Sequence, residues 1–138
     1  MSVPQSQLNR DAMEQAMVLS PFTMWVATEL LEFDPGHVRI AAAIRRDMTQ
    51  HHGFAHGAIV GYMADTACAW AAASVVGDVV TSEYKLNLLS PAVGERLTAT
   101  GTVIKAGGRQ VVTRADVYAV RDGTEKIVAT ALATIARV

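Results

Sequence analysis

Cysteine is almost absent. Of 138 residues only Cys68 carries a thiol, so no disulfide can close within the chain and a disulfide-stapled fold is excluded. Charge is scarce and balanced. Charged residues make up 18% and the formal net charge is −1, which leaves no basic excess to drive binding to nucleic acid or to an anionic membrane. Aromatic residues are only 6%, so the core must be built from aliphatic side chains and alanine. Repeats, low-complexity tracts and linker-like stretches are also lacking. The first ten residues are polar and contain no apolar core of the signal-peptide kind. With the lone cysteine, this gives a cytoplasmic location as the expectation. Disorder is excluded by the opposite measure, since 51% of the residues are hydrophobic.

A chain of this length is expected to form one domain spanning residues 1–138, long enough to bury roughly two-thirds of its unfolded surface. Residues 1–20 read as a tail and a short helix, with Met13, Ala16, Met17 and Leu19 at helical spacing and a stop at Ser20-Pro21. Met24 to Phe33 reads as a strand, Asp34-Pro35-Gly36 as a turn, and Val38 to Ile44 as an alternating strand that completes a hairpin. Further strands are expected over Val79–Leu89, Leu97–Lys105, Gln110–Arg121 and Lys126–Val138. Gly107-Gly108 and Asp122-Gly123 serve as turns between them.

The one long helical run is Gly57 to Val76. It is apolar almost all round, which marks a buried helix. It is long enough to raise the question of a membrane span. Asp65 near its centre, the many alanines and the lack of flanking basic clusters argue against one. The count is one long helix and about six antiparallel strands. An α+β architecture with one sheet wrapped around a central helix satisfies it. An open sheet leaves free edges, and a stripe of small residues (Gly57, Gly61, Ala64, Asp65, Cys68) permits close approach of another backbone, so pairing with a second copy is expected. Asp65 is the anomaly. A carboxylate in an apolar helix needs either a partner or a use.

A histidine-rich loop precedes this helix. Gln50-His51-His52-Gly53-Phe54-Ala55-His56-Gly57-Ala58, followed by Met63-Ala64-Asp65, resembles the signature of hotdog-fold acyl-CoA thioesterases. The similarity is greatest to the phenylacetate-degradation (PaaI-like) branch, whose pattern is Asn-x-x-Gly-x-x-His-Gly-Gly and then a helix with Leu-x-Asp. Leu88-Leu89-Ser90-Pro91 is similar to that family's Tyr-Leu-x-Pro strand end. The resemblance covers roughly residues 20–138. Gln50 departs from the branch's Asn, and Ala58 replaces its second Gly.

The resemblance implies a hotdog fold, thioester hydrolysis without a cofactor (coenzyme A being part of the substrate) and Asp65 as nucleophile or general base. Chemistry asks for the same parts. An oxyanion must be stabilised by donors, which the Gly57 N–H at a helix N-terminus and the Gln50 amide can supply. Gly57 and Asp65 are eight residues apart, about 12 Å along one helix. If both serve one carbonyl, they come from different copies of the chain, so a homodimer or dimer of dimers with shared sites is expected.

Thr81 occupies the place where related enzymes set a hydroxyl that orients water, with Glu83 as a nearby competitor. His56 is assigned a structural part, holding the loop by hydrogen bonds. His51, His52 and His56 have spacing that suits a metal, but Gly53 argues for a loop, and no metal is expected. Phe54, Ala58, Tyr62 and Trp70 are candidate acyl contacts, equally readable as core. Arg109 and Lys105, then Arg114 and Lys85, are candidates for the coenzyme A phosphates. Two other functions compete. A dehydratase of this fold needs a catalytic His in a motif such as His-Phe-Pro-Gly, which is missing here. A non-catalytic acyl-CoA-binding relative loses the helix acid, which is retained here.

Overall fold

Ten segments of regular structure follow one another in a computed structural model that describes residues 8–138. They are α1 (Arg10–Val18), α2 (Pro21–Val26), β1 (Glu29–Asp34), β2 (His37–Ala43), a single 3₁₀ turn (Arg46–Met48), α3 (Gly57–Val76), β3 (Val79–Leu88), β4 (Arg96–Ala106), β5 (Gln110–Arg121) and β6 (Thr124–Arg137). The polar tail read from the sequence lies, up to residue 7, outside the described residues. All six strands are antiparallel and form one sheet in the order β1-β2-β4-β5-β6-β3. The sheet wraps around α3, which is the hotdog fold expected from the sequence.

α3 has no polar face because strands cover it on most sides. Met63, Ala64, Ala67, Cys68, Ala71 and Ala72 are fully buried. They meet Ile40, Leu97, Val111, Val117 and Ile135 from the inner face of the sheet. Each larger aliphatic side chain buried this way contributes about 1.5–3 kcal/mol. The helix is apolar and long enough to cross a membrane by length and composition, yet most of it lies inside the sheet. Its closest approach is to β4. A Cβ on Gly101 would overlap the carbonyl group of Ala67. Glycine in the middle of β4 is therefore what lets helix and sheet touch backbone to backbone.

One element differs from the sequence reading. Met24 to Phe33 is not one strand. Ser20 caps a second short helix, its Oγ accepting from the Thr23 N–H at 3.4 Å, with Pro21 in the first turn. Ala27, in a left-handed conformation (φ 61°), then turns the chain into β1. Ser20-Pro21 thus both ends α1 and starts α2, as a capping residue followed by proline does. α2 packs on α3 through Phe22, whose ring lies 5.2 Å from that of Tyr62.

Candidate active site

The loop before α3 is held from several directions. Gln50 donates its N–H to Phe54 O at 2.9 Å, and Gly53, at φ +84°, donates to Gln50 O at 2.9 Å. The His56 N–H donates to Met48 O at 2.8 Å, and the Ala55 N–H to Ala92 O at 2.9 Å, which ties the loop to the segment after β3. His56 is the N-cap of α3. Its Nδ1 accepts from the Ala58 N–H at 2.9 Å. In the neutral ring that places the proton on Nε2. Among the described residues the Gly57 N–H has no acceptor. It stands at the first position of a 20-residue helix, where unpaired N–H groups and the macrodipole favour negative charge.

Gln50 is oriented by its own loop. Its Oε1 accepts the His52 N–H, which leaves the Nε2 hydrogens as the donors. Gln50 and Gly57 line one open groove of about 350 Å³. Phe54 and Val60 line it with Leu88, Leu89, Ser90 and Pro91. Leu88 sits so close that a Cβ on Gly57 would lie 3.4 Å from its Cδ1.

Two turns further along α3, Asp65 is half-buried. Its Oδ1 accepts a hydrogen bond from Thr81 Oγ1 at 2.6 Å. A bulge in β3 makes this pairing. Thr81 sits opposite Ile135 and Tyr84 opposite Ala133, both buried positions on the inner face. Between Thr81 and Glu83 the register shifts. Ser82 is the extra residue, and Glu83 is sent to the outer face, where Thr134 Oγ1 donates to its Oε2 at 2.6 Å. Of the two side chains that the sequence left in competition, Thr81 reaches Asp65 and Glu83 does not.

The remaining candidates lie elsewhere. Tyr62 OH bonds Thr28 Oγ1 at 2.7 Å, and its ring meets Phe22, so it faces α2 rather than the groove. Ala58 is exposed beside the cap. The rings of His51 and His52 lie 4.0 Å apart, tilted at 41° to each other, on the loop surface. No cluster of three or more potential metal ligands occurs among the described residues. Lys105 and Arg109 flank the β4–β5 turn in a separate groove, about 30 Å along β4 from the end near Ala92. They neighbour the start of β3 instead, since the Arg137 N–H bonds Arg109 O while Arg137 pairs with Val79. Cys68 is buried, and burial, with a smaller contribution from the Asp65 and Asp116 charges, pushes its thiol up to about 11 against the opposing pull of Thr113. It is therefore neutral and not a nucleophile at neutral pH.

Sequence reading missed the bulge at Ser82, because strict alternation hides an inserted residue. It also missed Arg121 and Lys126, which line a second groove that adjoins the first. The Asp122-Gly123 turn between them was the available signal.

A sheet rolled around one helix, with an unpaired helix N-terminus at one end and a carboxylate two turns along, defines a hotdog-fold protein. The family model described as "Thioesterase superfamily" matches residues 52–126, and the chain belongs to that superfamily. A thioesterase family protein from Silicibacter pomeroyi is 36% identical, with a TM-score of 0.86 over 89% of this chain and 93% of that one. The phenylacetic acid degradation protein PaaI of Thermus thermophilus, solved as a mutant, is 28% identical, with a TM-score of 0.75 over 86% of this chain and 100% of that one. A Saccharolobus solfataricus protein named "Putative esterase" is 30% identical over 80% of this chain and 73% of its own length. Family and fold together make this a PaaI-like hotdog protein of the thioester hydrolase class.

Proposed function

We propose that the protein hydrolyses an acyl-CoA to a free acid and coenzyme A at sites shared between two copies of the chain. The thioester carbonyl lies in the Gln50–Gly57 groove. Its oxygen accepts from the Gly57 N–H and the Gln50 side-chain amide. As the carbon becomes tetrahedral, charge grows on that oxygen, and these preorganised donors stabilise it more than they stabilise the ground state. The single observation that carries this reading is the unpaired Gly57 N–H beside the oriented Gln50 amide in one groove.

Asp65 of the second copy supplies the base or nucleophile, with the Thr81 hydroxyl holding one of its oxygens. Water adds its oxygen to the acyl carbon, directly or after an acyl-aspartate forms. The C–S bond breaks and the thiolate leaves to take a proton. No step needs a cofactor. The division between two copies follows from the ~12 Å that separates Gly57 from Asp65 along one helix. Antiparallel α3 helices exchange these two ends. The free edge at β3, with Tyr84 and Leu88 40% and 59% exposed, supports a second copy there.

Mixing tests both parts. Asp65→Asn and Gln50→Ala should each be nearly inactive in thiol release from acyl-CoAs. Mixed dimers carry one intact site, so activity should return on mixing after subunit exchange. No recovery, with exchange confirmed by mass, would overturn the shared site, and an active Asp65→Asn homodimer would overturn the assignment of Asp65.

A further inference from the structure

Two arms leave a thioester carbonyl, an acyl arm and a thiol arm. In an acyl-CoA the thiol arm ends in phosphates. The groove around Gln50 and Gly57 carries no basic side chain. A second groove of about 540 Å³ adjoins it and shares Phe54 and Pro91 with it. Val93, Ala119, Arg121, Asp122, Thr124 and Lys126 complete its lining. We propose that this second groove holds the phosphate-bearing end of the thiol arm, with Arg121 and Lys126 as the phosphate ligands. The proposal rests on the reading of the adjoining groove as the thioester site.

The β5–β6 hairpin places both cations. Arg121 pairs with Thr124, and Lys126 with Ala119, across the Asp122-Gly123 turn. Residues directly opposite across an antiparallel pair share a face. Ala119 is buried on the inner face, so Lys126 lies on that side, toward the loop that carries Phe54. The hairpin tip is pinned. The Asp122 N–H donates to Glu95 Oε1 at 3.0 Å, and the Glu95 N–H to Val120 O at 2.9 Å. A groove held this way keeps its shape before ligand arrives, which lowers the ordering cost of binding.

The charges are available. Arg10, Arg39, Arg45, Arg96 and Arg114 are each paired with a carboxylate. Among the described residues Arg121 and Lys126 form no ion pair. One carboxylate, Asp122, shares the groove. Guanidinium and ammonium groups are the side chains suited to phosphate, the first through paired N–H donors and the second as a point charge. Lys105 and Arg109 are the competing pair. They reach this groove only if a second copy brings them there.

The test is calorimetric binding of coenzyme A, and of pantetheine, which lacks the phosphates, to the intact protein. In Arg121→Ala/Lys126→Ala, coenzyme A should bind roughly tenfold or more weakly, while pantetheine affinity should change less than about twofold. Arg121→Lys/Lys126→Arg should recover most of the coenzyme A affinity, which separates lost charge from a damaged hairpin. Unchanged coenzyme A binding in the alanine variant would overturn the proposal. So would an equal loss for pantetheine, or a loss seen only in Lys105→Ala/Arg109→Ala. Hydrolysis of an N-acetylcysteamine thioester reads the reaction separately. If that substrate is turned over but wild-type protein does not bind coenzyme A, the phosphate groove is wrong and the thioester site stands.

Discussion

The two long flanks of α3 are built to opposite specifications. Against β4 the helix is locked. Ala67 and Gly101 approach backbone to backbone, and the side chains around them are fully buried aliphatics. Against β3 the helix is covered by side chains that are themselves open to solvent. Leu88 closes on Gly57, and Tyr84 and Leu86 close on Gly61, yet Tyr84 and Leu88 themselves remain exposed. The Gly57 N–H, unpaired among the described residues, and the Asp65–Thr81 pair lie on this second flank. In the proposed reaction, rigidity on one side positions the chemistry on the other. A helix locked against β4 keeps its place whatever meets its open side.

Substitutions on the two flanks should therefore fail differently, in activity on one and in stability on the other. The largest effect is expected at Asp65. Asp65→Asn should keep fold and thermal midpoint but lower turnover by about 10²–10⁴, the range for loss of a general base. Gln50→Ala should follow, with turnover down about 10²–10³ for one oxyanion donor. If instead only its melting temperature moves, Gln50 belongs to the loop and not to the chemistry.

On the locked flank, Gly101→Ala should cost about 3 kcal/mol or more in denaturant unfolding, because the added methyl meets backbone that has no rotamer to yield. A neutral Gly101→Ala would erase the contrast between the flanks. Thr81→Val removes the part-buried hydrogen bond that Thr81 Oγ1 donates to Asp65. It should lower turnover by roughly tenfold or more, with little change in stability.

The smallest signal comes from Cys68. With its thiol pushed up to about 11 by burial, a raised pKa means the protonated form persists through neutral pH. A maleimide should label it at pH 8 only after unfolding. Labelling of the native protein at a rate independent of unfolding would mean that the core side of α3 opens.

Much of this was legible in the sequence because the signals were local. Gly57 and Val76 bound α3 as read, since a long, mostly apolar run between glycines has helical length. Gln50, His56, Gly57 and Asp65 stand out in the sequence as one motif, and Thr81 through the family resemblance. What escaped reading depends on choices made by neighbours. Phe22, Met24, Trp25 and Val26 have strand-like side chains, and only the Ser20 cap with Pro21 bends them into α2. The groove around Arg121 and Lys126 is assembled from three separate segments. No spacing in the chain announces that Phe54, Pro91 and a hairpin tip will meet.

The Ser82 bulge carries a consequence for how this site tolerates change. It acts as slack in the chain just where register matters most. With Tyr84 fixed inward, a slip that absorbed the slack one position earlier would turn Ser82 inward in place of Thr81. The neighbour of Asp65 would still be a hydroxyl. Loss of Ser82 altogether would leave a regular strand with Thr81 inward as before. Deletion and slippage at this spot thus converge on the same local chemistry, and β3 is buffered against the kind of mutation that usually inverts a strand.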